Sequence, residues 1–311
     1  MTLSRLRLLT TQTAEGLSKP LFVAAALFLI LTWGSAFTLN SVGVRYMTPI
    51  WLVAMRLLIG ATFLIGYVQF TGGKFPKLSD KRWLWYFTLG MTGMTLPFFF
   101  ISTGQVDVDS GLAAIIVGAM PIMTIILAHF FTDERLTLMK SIGFFIGFIG
   151  IVILFLPENF SLELISDWQS QLLIVLGAFC YAVTTVAAKR APKTPSSVGA
   201  AMMLICAAIV GLIWALFTGI PETVPAMPGL LSAMGLGIGS TALATILYLY
   251  VIDQTGPSVL AKINYFVPVA SVVLGIWLLR EPFSWRMVIS FFVILCGILI
   301  ARIGQPKTVS P

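Results

Sequence analysis

Apolar residues in this chain come in ten runs of about twenty, the length an α-helix needs to cross the hydrocarbon core of a bilayer. The runs fall at residues 21–40, 50–70, 83–103, 109–131, 138–156, 168–188, 198–218, 229–252, 257–279 and 283–303. Turn-forming residues punctuate the series. Thr71-Gly72-Gly73 with Pro76 follows the second run, Pro157 the fifth, Pro192 and Pro195 the sixth, and Pro221 to Pro228 the seventh. The expected fold is an all-α polytopic membrane protein with ten transmembrane helices and no soluble domain.

Two stretches of the chain repeat each other. Residues 111–153 and 258–300 align without a gap at one offset, 268 − 121 = 147. Pro121 then meets Pro268, Glu134 meets Glu281, and Phe144, Phe145, Gly150 and Ile151 meet Phe291, Phe292, Gly297 and Ile298. Identities fall at roughly a quarter of the positions, and the weight rests on Pro and Glu because Leu and Ile coincide by chance. The offset spans five helices, an odd number, so the second copy enters the membrane inverted. Two inverted five-helix repeats are expected, over residues 20–157 and 158–304, flanked by a segment at 1–19 and a tail at 305–311. Such repeats place a substrate site near the bilayer midplane and let the halves open alternately to either side.

Composition narrows the class further. The chain of 311 residues is 58% hydrophobic and 10% charged, against about 25% charged in soluble proteins. Its net charge of +7 sits in short clusters between apolar runs, the pattern of topology signals rather than of a nucleic-acid surface. With the amino terminus cytoplasmic, Arg5, Arg7, Lys19, Lys74, Lys77, Lys81, Arg82, Arg135, Lys140, Lys189, Arg190, Lys193, Arg302 and Lys307 all lie on that side. Arg45, Arg280 and Arg286 lie opposite, so both termini are expected in the cytoplasm and no cleaved signal peptide is read. Cys180, Cys206 and Cys296 sit inside apolar runs and offer neither a disulfide framework nor a metal site.

No acidic residue falls near mid-membrane, so an intramembrane carboxylate relay is not expected. The single histidine, His129, lies near a helix end, and no carboxylate pair, Cys/His pair or metal constellation marks an enzyme or a cofactor site. Lys262, about a turn and a half into the ninth run, is the sharpest polar signal. A Lys at a helix centre costs about 2.5–3.5 kcal/mol, so it either snorkels to the surface or meets a carboxylate or phosphate. Asn264 and Tyr265 follow it. Arg56, about two turns into the second run, reads as an arginine reaching headgroups or tying backbone carbonyls. Glu134 and Glu281 read as markers of the starts of the fifth and tenth helices, with a gate or ion pair as the alternative. Trp33, Phe37, Asn40, Thr95, Phe98, Phe99, Tyr181, Thr184, Thr241 and Tyr248 are candidate lining residues, although hydroxyl and small residues also serve helix packing. Pro97, Pro121 and Pro268 fall mid-run and should kink their helices.

Taken together, Trp33-Gly34-Ser35-Ala36-Phe37, Arg56, Ser110-Gly111-Leu112-Ala113-Ala114 through Pro121 to Glu134-Arg135-Leu136-Thr137, and the echo in Pro268 and Arg280-Glu281-Pro282 resemble the EamA branch of the drug/metabolite transporter superfamily. The resemblance covers residues 21–303. It implies ten helices in two inverted repeats, a central cavity lined mainly by the first, third, fourth, sixth, eighth and ninth helices, and export or exchange of small metabolites. The sequence departs from the family pattern at Cys180-Tyr181-Ala182, at Arg280-Glu281-Pro282 and at Lys262, a position that is small or apolar in many members. The reading is a bacterial inner-membrane permease, a monomer or weak dimer, exporting a small amphipathic metabolite such as an amino acid. Its partners are that solute and the lipid bilayer, with no cofactor and no nucleic acid. Uptake or exchange of a bulkier anionic or nucleotide-derived metabolite is the alternative within the class. A membrane enzyme or scaffold, the alternative of another class, lacks catalytic polar clusters.

Overall fold

The computed structural model describes residues 19–131, 137–155, 168–188, 190–247, 263–264 and 266–303. Among them the regular elements are helices, with no strand. We number them α1 Lys19–Val44, α2 Pro49–Phe70, α3 Arg82–Gly104, α4 Ser110–Phe131, α5 Leu138–Phe155, α6 Trp168–Ala188, α7 Ser196–Phe217, α8 Met227–Leu247, α9 Val267–Leu279 and α10 Trp285–Ile303. Seven of these, α1 to α4 and α6 to α8, are long and apolar enough to cross a membrane, and α5, α9 and α10 contribute shorter apolar helices. The protein is a multi-pass membrane protein.

Proline sets several helix starts, because its missing N–H falls where no intrahelical partner exists. Pro49 opens α2, Pro228 lies in the first turn of α8 and Pro268 in that of α9. Within α4, Ala119 leaves the helical path two residues before Pro121, where the proline ring removes a backbone donor. Three helices carry wider π turns: Met91–Thr95 in α3, Gly235–Leu243 in α8 and Gly275–Leu279 in α9.

The offset of 147 extends well beyond the two stretches in which the sequence displays it. Adding 147 to 49 and 70 gives 196 and 217, the bounds of α7, and adding it to 138 gives 285, the start of α10. The π turn at 91–95 maps onto 238–242, inside the π turn of α8. Equivalent helices also pack on one another, and they do so antiparallel. In α5 and α10, Gly143 lies against Gly297 and Ala301, and Gly150 lies against Ile294 and Ser290. In α2 and α7, Gly60 faces Leu204 and Gly211 faces Leu57; in α4 and α9, Gly111 faces Val272 and Gly118 faces Pro268. Lipid tails are as apolar as Leu, so close packing through small residues is what holds such helices together.

Glu281 reaches across this frame. The sequence marks it as a helix-start residue for α10, but its carboxylate accepts hydrogen bonds from the Ser110 and Gly111 amides at 2.8 and 3.2 Å, closing the open N–H groups of α4. Asp109, the residue before α4, makes no side-chain cap of its own. Burial pushes its carboxyl above the usual 3.8, the nearby Glu281 carboxylate adds to the rise, and Arg45 opposes it.

Packing at the α5–α10 crossing yields a direct expectation. A side chain at Gly143 has no room, whereas nothing lies within 4 Å of a Cβ built on Gly66. Gly143→Leu should therefore lower stability by about 1–3 kcal/mol, and Gly66→Leu should not, as read by thermal unfolding in detergent. Asp109 gives a second expectation. Its raised folded pKa means the folded state binds the proton more tightly than the unfolded chain, so its ionisation destabilises the fold as pH rises through that window. Asp109→Asn should raise the thermal midpoint at pH 7, and the gain should vanish as pH falls toward the unfolded value; an equal gain at both pH values would contradict the assignment.

Candidate functional site

Four helices bring a polar junction into the apolar interior. Arg56 of α2 is only 8% exposed. Its Nε donates to Thr241 Oγ1 of α8 at 2.8 Å, and its guanidinium carbon lies 3.6 Å from the centroid of the Phe98 ring of α3. Tyr181 of α6 meets Phe98 edge to face, with centroids 6.4 Å apart and planes at 70°, and its hydroxyl is within electrostatic reach of Arg56. A cation held over an aromatic face away from water gains about 2 kcal/mol.

The local sequence explains the convergence. Thr241 lies in the π turn of α8, and Phe98 follows the π turn of α3 after Pro97. A π turn inserts a residue into the helical register and re-aims the side chains beyond it, and such turns are frequent at functional sites. Two glycines let α2 and α8 approach. A Cβ on Gly60 would lie 3.2 Å from the Gly237 carbonyl, and one on Gly237 would lie 2.9 Å from the Arg56 carbonyl.

Arg56 has no carboxylate partner among the described residues, where the ion pair found is Arg82 with Asp80. Removing an unpaired charge from water costs on the order of several kcal/mol. Of the five N–H donors of a guanidinium, Nε is the one engaged by a described residue. The two terminal nitrogens make no hydrogen bond to a described residue.

A second polar cluster is closed on itself. The Asn40 amide of α1 donates to Gln105 Oε1 at 2.9 Å and accepts from the Ser102 hydroxyl at 2.7 Å, while Gln105 Nε2 donates to the Phe37 carbonyl at 3.0 Å. Asn40, Ser102 and Gln105 are all buried. Their bonds tie α1 to the end of α3 and leave little for a ligand. Ser102 and Gln105 escaped the sequence reading; the only signal was their i, i+3 spacing on one face of α3.

The remaining candidates distribute around these two clusters. The Thr184 hydroxyl, with one proton to donate, lies 2.7 Å from Thr92 Oγ1 and 3.0 Å from the Cys180 carbonyl, joining α6 to the π turn of α3. Thr95 donates to the Ala207 carbonyl of α7 at 3.2 Å and is buried. Phe37 packs with Ile115 and Ile116, and Tyr181 bridges that cluster to the one built on Leu57 and Leu204. Phe99 turns the other way, its ring 4.3 Å from Trp214. Trp33 packs with Leu29, Ala244 and Ile263, and Asn264 beside Ile263 is half-buried. Pro121 follows a break in α4, whereas Pro268 lies in the first turn of α9 rather than in mid-helix, and a Cβ on Gly118 would lie 3.1 Å from its ring. Lys262, Tyr265, Tyr248 and Glu134 lie outside the described residues.

Two cavities open away from the junction. One, of about 210 Å³, is lined by Ser41, Arg45, Gln105, Asp107 and Asp109 among others, at the ends of α1, α3 and α4. The other, of about 180 Å³, is apolar and lies between α9 and α10 beneath Glu281. Neither includes Arg56.

Residues 21–156 and 168–303 each match the EamA-like transporter family, and the two matched segments begin and end 147 residues apart, 168 − 21 and 303 − 156. An uncharacterized transporter of Archaeoglobus fulgidus is 28% identical over 86% of this chain and 94% of its own length. The uncharacterized inner membrane transporter YedA of Escherichia coli K12 is 26% identical over 92% of each chain, and the uncharacterized transporter YoaV of Bacillus subtilis is 26% identical over 87% of this chain and 92% of its own. A solved crystal structure of a protein superposes with a TM-score of 0.64 at 21% identity, covering 90% of this chain and 96% of that one, a likeness of fold. With both halves matched, the chain belongs to the EamA-like transporter family.

Proposed function

We propose that the protein exports a small amphipathic metabolite, an amino acid or related compound, across the bacterial inner membrane by alternating access, with ten spanning helices in two inverted halves. The observation that carries this reading is the antiparallel meeting of α2 with α7, α4 with α9 and α5 with α10. Helices related by the 147-residue offset run in opposite directions, so any arrangement open to one side has a counterpart open to the other. The junction at Arg56 sits where four helices of the two halves meet, as a central solute site requires.

Contacts at one end support a closed external gate. Asn40 with Ser102 and Gln105, Asp107 with Ser170 at 2.6 Å, Glu281 with the start of α4, and Trp51 Nε1 with the Gly219 carbonyl at 2.9 Å all fall at the same end of the bundle. The distribution of basic residues assigns that end to the outside. The absence of an acidic residue around Arg56 among the described residues favours facilitated transport or exchange over obligate proton coupling.

The test is flux in sealed liposomes containing the purified chain and the twenty radiolabelled amino acids. At least one should move down its gradient faster than in protein-free liposomes, in either direction, with the pH gradient collapsed. No flux of any of them would reject the substrate class, and strict dependence on the pH gradient would reject uncoupled transport.

A further inference from the structure

We propose that Arg56 is the carboxylate anchor of the central site, so that the transported solute is a small monocarboxylate with an apolar portion. This rests on the transport reading and adds to it the charge of the substrate and the residue that reads it. The geometry of the guanidinium argues for it. Thr241 occupies the Nε side and Phe98 covers one face. What remains is the end formed by the two terminal nitrogens, which make no hydrogen bond to a described residue. A planar cation with one uncommitted edge presents two parallel N–H donors, the complement of the two oxygens of a carboxylate. The side chain as a whole is more than nine-tenths buried, so an anion meeting that edge is itself drawn out of water, where its attraction to the cation is strongest.

The surroundings limit the ligand further. Among the described residues Arg56 is the cation of this junction, and a monocarboxylate matches its single charge. Phe98 and Tyr181, whose rings meet edge to face, supply the aromatic surface beside the guanidinium. The repeat does not provide a second such site. The residues 147 positions from Arg56, Thr241, Phe98 and Tyr181 are Met203, Met94, Thr245 and Gly34. Met203 and Met94 pack within the same apolar cluster, so one anion is expected per protein.

Acetate and acetamide separate charge from shape. On the purified full chain in detergent, sodium acetate should raise the thermal midpoint saturably above sodium chloride at equal concentration, and acetamide should not. The rise should vanish in Arg56→Gln and persist in Thr62→Val, an exposed position whose hydroxyl bonds its own helix at the Leu58 carbonyl. In Arg56→Lys the apparent affinity should fall roughly tenfold or more, the loss of one charge-assisted hydrogen bond. Equal effects of acetate, chloride and acetamide on the wild-type chain would overturn the assignment, as would an undiminished rise in Arg56→Gln. If Arg56→Gln does not fold, the wild-type comparison and Arg56→Lys decide. Because this measurement needs no sealed compartment, an acetate effect without flux in liposomes would reject transport and keep the anchor. Flux of a 3-phenylpropanamide probe equal to that of 3-phenylpropanoate would reject the anchor and keep transport.

Discussion

Everything in this bundle depends on helices being able to lie against their own counterparts. In hydrocarbon there is no gain from hiding one apolar surface against another, so association must come from close packing. The three crossings between equivalent helices are lined accordingly: Gly143, Gly147, Gly150 and Gly297 between α5 and α10, Gly60 and Gly211 between α2 and α7, Gly111 and Gly118 between α4 and α9. Because each crossing joins two related surfaces running in opposite directions, one contact implies another. Gly143 against Gly297 recurs, after exchanging copies by 147 residues, as Gly150 against Ser290. A small residue selected for one contact therefore serves two, and the repeat supports its own packing.

Within that frame the polar residues divide by whether their bonding is complete. Asn40, Ser102 and Gln105 satisfy one another and a backbone carbonyl, and a buried network closed in this way rigidifies the helices it joins. Arg56 is the opposite case. It is buried, charged and bonded at one nitrogen, and its stack on Phe98 offsets only part of the cost of leaving water. Closed networks are at home in fixed joints. An incompletely bonded cation is suited to a place where something arrives and leaves.

Much of the architecture was legible because lipid imposes a length. Runs of about twenty apolar residues identify helices with little regard to detail, and α2 to α7 and α10 keep within about two residues of the expected bounds, whereas α9 begins at Val267 and its expected start at 257 lies outside the described residues. The repeat was readable only in α4, α5 and their copies, where Pro121 with Pro268 and Glu134 with Glu281 stand out from residues that coincide by chance; α2 and α7 share their bounds but little distinctive sequence. The site was less legible. Phe98, Tyr181 and Thr241 stand out as lining candidates from residue type, and Arg56 as an arginine reaching headgroups or tying backbone carbonyls; nothing local says that the π turns of α3 and α8 aim Phe98 and Thr241 at it. Asn40 was chosen for its polarity, which is real but engaged by partners 62 and 65 residues away. Glu281 was read as opening α10, whereas its carboxylate serves α4 from 171 residues away. Lys262, the strongest polar signal in the sequence, falls outside the described residues.

The frame is symmetric and the junction is not, and the difference carries the functional argument. Exchange of the two halves would map Arg56 and Thr241 onto Met203 and Met94, both within the apolar cluster around Leu57 and Leu204. It would map Tyr181 onto Gly34, where a Cβ would lie 2.7 Å from the Ala270 side chain and an aromatic ring cannot fit. Symmetric packing makes two mirror-related arrangements close in energy, as alternating access requires. A fully symmetric interior would offer two equal sites to a solute that needs one. With two methionines and a glycine at the positions that correspond to the cation, hydroxyl and ring, the polar junction occurs once within a frame that is otherwise repeated.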